Sequence, residues 1–93
     1  MDLAKVMETL VEVLVEIQKD SGRPVPEKIN QDTCPFLDFS GFDSLNCVDA
    51  SVDLSKRFDR TIEHDVFLPN AQQRYLTIGD IAVRIHKIIN LGA

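Results

Sequence analysis

Gly41-Phe42-Asp43-Ser44-Leu45-Asn46-Cys47-Val48-Asp49-Ala50-Ser51-Val52-Asp53-Leu54-Ser55-Lys56-Arg57-Phe58 is the stretch on which the reading of this chain turns. Its periodicity predicts a helix from Ser44 to Phe58. At roughly 100° per residue, Leu45, Val48 and Val52 fall within about 60° of one another. Cys47, Ala50, Leu54 and Phe58 gather on the opposite side. A small domain has one core and cannot bury both stripes against it. The stripe with bulky Phe58 is assigned to the core. Leu45, Val48 and Val52, flanked by Asp49, then form an outward apolar strip with the character of a protein-binding face, unless the long loop or a third helix covers it. At the start of the helix the unpaired backbone N–H groups and the positive end of the macrodipole favour a negatively charged substituent. Ser44 is placed to carry one. The plainer reading of Ser44 is an N-cap.

Working outward, Leu3, Val6, Met7, Leu10, Leu14 and Ile17 recur at helical spacing and predict a first helix over residues 2–19. Glu8, Glu12 and Glu16 read as a solvated acidic stripe. Val11, Val13 and Val15 widen the apolar face, as though something beyond the core stripe covers part of it. Ser21-Gly22-Arg23-Pro24-Val25-Pro26 ends that helix. The connection to Asp43 is long, and Val25, Ile29, Phe36, Leu37 and Phe39 are expected to pack it back onto the helices. A short third helical element is expected within Asn70 to Tyr75. A fourth helix opens at Thr77, which forms a capping box with Asp80, and its stripe is Ile78, Ile81, Ala82, Ile85, Ile88 and Ile89. Arg84, His86 and Lys87 read as a solvated face that complements the dipole, and Gly92 as the stop. The expected fold is therefore all-α: one domain over 1–93, a four-helix bundle of three main helices, a short third helix and a long ordered first loop.

Ninety-three residues with a net charge of −5 argue against nucleic acid, whose phosphates this surface would repel. No apolar run is long enough to span a bilayer, and Met1-Asp2 opens a charged helix rather than a signal peptide, so a cytoplasmic monomer is the default expectation. Cys34 and Cys47 have neither zinc-ligand spacing nor a disulfide framework, and read as free thiols. No metal site is expected.

With these residues set out, the chain resembles the acyl carrier protein family. The resemblance rests on Gly41-Phe42-Asp43-Ser44-Leu45-Asn46, on Val48, Asp49, Leu54, Phe58 and Ile62 behind it, and on Thr-Ile-Gly-Asp-Ile-Ala at 77–82. It implies a four-helix fold of acyl-carrier type and a 4′-phosphopantetheine arm, donated by coenzyme A, joined to Ser44 through a phosphodiester. The partners implied are a phosphopantetheinyl transferase (a holo-carrier synthase) and a ketoacyl synthase or other acyl-transferring enzymes with basic patches. Asp43, Leu45, Val48, Asp49, Val52, Lys56 and Arg57 are the docking candidates. Between Glu27 and Asp53 there are six acids against the single base Lys28, a field that steers basic partners toward Ser44.

A carrier does no chemistry of its own, so the chain is not expected to be an enzyme. Asp43 is read as a docking or capping residue rather than a general base, since adjacency in sequence does not establish geometry. An aliphatic bundle can part to admit an acyl chain, and Cys47, Ala50, Leu54 and Ile81 are the candidates for lining that space. Three departures from the common fatty-acid carriers stand out. Lys56-Arg57 and Arg60 are basic where those carriers are acidic, Phe42 replaces a small residue, and Glu63–Tyr75 is longer. The pathway stays open between fatty-acid synthesis and a specialised lipid or polyketide route, with basic Lys56 and Arg57 counting toward the latter. The alternatives are a peptidyl-type carrier, whose usual double glycine is missing, and a small helical interaction module with unmodified Ser44. A hydrolase is remote, because His64 and His86 have no catalytic context and Gly-x-Ser-x-Gly is absent.

Overall fold

The computed structural model describes residues 2–69 and 75–91. Among them the chain forms α1 (Leu3–Asp20), α2 (Pro35–Asp38), α3 (Ser44–Phe58), a 3-10 turn (His64–Phe67) and α4 (Ile78–Leu91), with no strand. The architecture is an all-helical bundle of three long helices. The helix anticipated at Ser44 is thus α3, because a single extra turn forms inside the long connection. Pro35 opens that turn, and the Asp38 carboxylate closes it by accepting from the Cys34 N–H at 2.8 Å. The short element expected within Asn70–Tyr75 falls, Tyr75 apart, outside the described residues, as does Gly92. The 3-10 turn stands earlier than that expectation.

Each of the three long helices starts where local chemistry satisfies orphan amides. Asp2 caps α1, its side chain accepting from the Lys5 N–H at 2.8 Å. Thr77 and Asp80 make the reciprocal pair at α4, each backbone N–H donating to the other's side-chain oxygen at 3.1 Å. The loop completes that cap: Ile78 N–H donates to the Thr33 carbonyl at 2.8 Å and Gly79 N–H to the Gln31 carbonyl at 2.9 Å. α1 ends in a Schellman turn. Gly22 at φ 71° donates to the Lys19 carbonyl, and Arg23 N–H donates to that of Gln18.

α1 is the central helix, packing on both α3 and α4, while the 3-10 turn bridges α3 and α4. Val6, Leu10, Val13 and Leu14 of α1 meet Cys47, Ala50 and Leu54 of α3 and Ile78, Ile81, Ala82 and Ile85 of α4, all inaccessible to solvent. Phe39, Phe42 and Phe67 complete this core from the connections. As expected, the long connection packs inward through Ile29, Phe36 and Phe39; Val25 is half-buried but stands outside the core cluster. Leu37 does not pack inward, and is 60% exposed, because the α2 turn points Phe36 toward the core and its neighbour away.

Two polar expectations change. Glu12 and Glu16 are not simply solvated, since Arg57 of α3 reaches them at 3.0 and 2.8 Å. Arg84 is not a free surface cation either. Its Nη1 donates to the carbonyls of Asp65, Val66 and Leu68, at 2.7 Å for the last, and ties the 3-10 turn to α4.

Candidate functional site

Ser44 is the first residue of α3 and is exposed, and capping does not consume its hydroxyl. Asp43 is the N-cap. Its carboxylate accepts from Leu45 N–H at 3.0 Å and from Asn46 N–H at 3.2 Å, while the Asn46 side chain accepts from Asp43 N–H at 3.1 Å. That reciprocal pair takes over the role in which Ser44 would otherwise serve. Asp43 is therefore engaged in holding the helix start. Among the described residues it has no histidine or hydroxyl partner that would mark it as a base.

The turn before Ser44 is stitched to the end of α1. Gln18, fully buried on the core face of α1, donates through Nε2 to the carbonyls of Ser40 at 2.6 Å and Pro24 at 3.2 Å. Arg23 Nη1 donates to the Gly41 carbonyl and to Asn46 Oδ1, the latter at 3.2 Å. Gly41 sits at φ 72°, and a Cβ there would stand 2.7 Å from Arg23 Nη1. The left-handed backbone favours glycine, and any Cβ would also force the Arg23 side chain to shift. Phe42 is the apolar half of the same anchor. It is 5% exposed, with its ring 5.4 Å from Phe36, 6.3 Å from Phe39 and 6.1 Å from Phe67.

Sequence reading missed Gln18, Arg23 and the anchoring role of Phe42. One signal was present: Gln18 continues the Leu10, Leu14 register of the core stripe, and a polar side chain there requires buried partners.

Leu45, Val48 and Val52 are exposed at 73%, 44% and 51%, so the outward strip is real. Asp49 is exposed beside them. At roughly 100° per residue Lys56 lies in line with this strip, whereas Arg57 is turned about a third of a circle toward α1. Lys56 is exposed and in no ion pair among the described residues. Arg57 is tied to Glu12 and Glu16, with Asp53 at 3.9 Å. The structure thus gathers Ser44, Leu45, Val48, Asp49, Val52 and Lys56 on one face and places Arg57 at its edge, its charge already matched.

Cys47, Ala50, Leu54 and Ile81 are fully buried in the core. Burial, with Asp43 adding repulsion, pushes the Cys47 thiol up to about 11. Burial and then the nearby Asp38, Asp80 and Asp32 also raise Cys34. Both thiols are free and protonated near neutrality, which leaves neither activated as a nucleophile. Among the described residues no cluster is spaced to hold a metal ion, and no helix is long and apolar enough to cross a membrane. Comparison with protein-family models, curated proteins and solved structures gave no match to this chain.

Proposed function

We propose that this chain is an acyl carrier whose Ser44 takes a 4′-phosphopantetheine arm from coenzyme A. The observation that carries the reading is the division of labour at the start of α3. Asp43 and Asn46 cap the helix, leaving the neighbouring Ser44 hydroxyl exposed and without a hydrogen bond among the described residues. The residues fit the group. Asp43 occupies the amides of Leu45 and Asn46, so a phosphodiester would be held by the exposed Ser44 hydroxyl and not by those two N–H groups. When bound, the arm supplies a mobile thiol that holds acyl groups as thioesters.

In loading, Ser44 Oγ bonds to the phosphorus that carries the pantetheine arm. The pyrophosphate link of coenzyme A breaks, 3′,5′-ADP leaves, and the serine proton passes to a base on the transferase. This chain contributes position. Gln18, Arg23 and Phe42 hold the turn, and the strip Leu45, Val48 and Val52 with Asp49 gives a transferase or ketoacyl synthase an apolar contact in an acidic field. Lys56 interrupts that field at the far end of the strip and favours a partner set other than that of the common fatty-acid carriers. The place of action is the cytoplasm.

Intact mass after incubation with coenzyme A and a phosphopantetheinyl transferase is the test. The wild type should gain one phosphopantetheine and Ser44→Ala should gain none. No gain by a folded wild type would favour an interaction module with unmodified Ser44, and a gain by the mutant would move the site elsewhere.

A further inference from the structure

The half of α1 farthest from Ser44 carries an apolar trough. Leu3, Ala4, Met7 and Val11 form one side and Ile29 of the long connection the other, around a volume of about 620 Å³. A smaller stretch of about 280 Å³ shares Leu3, Met7 and Gln31 with it and continues to Val83 of α4. Leu3 and Val83 are 36% and 39% exposed, while Met7, Val11 and Ile29 are half-buried. Gln18, which anchors the Ser44 turn, lies roughly 22 Å along the helix from Leu3. The trough is therefore a separate surface.

Every charged residue lining it is acidic: Glu8 and Glu12 in the trough, Asp32 and Asp80 in its extension. Lys5 approaches Glu8 at 3.7 Å and Arg57 meets Glu12 at 3.0 Å, but Asp32 and Asp80 enter no ion pair among the described residues. The balance along the rim stays negative.

We propose that this trough docks an amphipathic helix of a partner protein, apolar on one face and flanked by Lys or Arg. From Leu3 to Val11 the floor runs about 12 Å, which matches anchors at i, i+3 and i+7 of a docked helix. A small molecule would stay largely wet in so open a channel, whereas ligand sites cover most of their ligand. A second copy would bring one acidic rim against another, and an anionic lipid surface would be repelled.

The test uses the full chain and a synthetic helical peptide of about five turns with leucines at i, i+3, i+4 spacing and flanking lysines, against the same peptide with flanking glutamates. Fluorescence anisotropy should show binding of the lysine peptide alone, weakening roughly tenfold or more from low to high salt. Amide shifts should cluster at Leu3–Val11 and Ile29. Ala4→Lys, at an exposed position that tolerates the change, should lose roughly tenfold or more in affinity, while Ser44→Ala should lose none. Equal binding of both peptides, binding of neither, or shifts confined to Leu45–Val52 would overturn the proposal. So would binding of anionic vesicles, or a concentration-dependent dimer abolished by Ala4→Lys, since either assigns the trough to another occupant.

Discussion

The two faces of α3 are built from nearly the same residue types and come to opposite ends. Cys47, Ala50 and Leu54 are fully buried, while Leu45, Val48 and Val52, interleaved with them, are exposed at 73%, 44% and 51%. Hydrophobicity alone does not tell the faces apart, because each carries a leucine. What separates them is the rest of the chain: α1 and the 3-10 turn pack onto one side and nothing described here covers the other. On the inner face apolar area stabilises the fold. On the outer face it remains available to a partner, and the acidic residues beside it supply direction.

The largest effect is expected on the inner face. Leu54→Ala removes a fully buried side chain between helices and should lower stability by about 2–5 kcal/mol in chemical denaturation. A loss below about 1 kcal/mol would mean that the two faces are not distinguished by packing at all. The same face has a signature in alkali. Because the folded Cys47 thiol is pushed up to about 11 from an ordinary 9.0, the native chain keeps a proton that the unfolded chain releases. Its contribution is full below about pH 9 and is lost as pH rises toward about 11. Cys47→Ala should flatten that part of the alkaline decline, and identical slopes would mean that water reaches the thiol.

At the junction of the faces, Asp43→Ala removes the cap shared by Leu45 and Asn46 amides and should cost about 1 kcal/mol. Asp43→Asn should restore most of it. Because that cap is also what frees the Ser44 hydroxyl, the alanine variant should slow loading while the asparagine variant does so less. Equal slowing by both would mean that Asp43 acts through its charge on a partner rather than through geometry. Arg57→Ala, at the edge of the strip, should cost no more than about 1 kcal/mol, as its ion pairs with Glu12 and Glu16 are half-exposed. That difference should shrink further in high salt.

Local patterns made the helices legible from sequence, and long-range polar contacts account for most of what was not. The Thr77–Asp80 box and the opposed stripes of α3 each depend on spacings of a few residues, which periodicity reads directly. Gln18 to Ser40 and Arg57 to Glu12 and Glu16 join residues 22 to 45 positions apart, and no spacing rule encodes them. Arg84 reads as solvent-facing from sequence for the same reason, although it binds carbonyls of the 3-10 turn. Leu37 reads as an inward residue on apolar character alone, and a single turn of α2 sends it outward. Of the candidate site, the exposure of Ser44 and of its flanking strip could be read ahead of the structure. The clamp that steadies them could not, apart from the polar residue lodged in the core register of α1.

The smallest stability effect, and the sharpest test of the comparison, belongs to Val52. It lies two positions from Leu54, has a similar apolar character, and is 51% exposed where Leu54 is 0%. An aspartate there meets water rather than a core, so Val52→Asp should change stability by no more than about 0.5 kcal/mol. It should still impair the encounter with a transferase or ketoacyl synthase, because it breaks the apolar continuity of Leu45 and Val48 and places a desolvated carboxylate in the contact. Adding negative charge to an already acidic face should if anything speed the approach of a basic partner. A fall in loading rate that persists at high salt would therefore be due to lost apolar contact, not to altered steering. Stability losses of similar size for Val52→Asp and Leu54→Ala would show that some other segment covers the outer strip. A Val52→Asp chain that loads at the wild-type rate would show instead that the strip is exposed but serves no partner at this step.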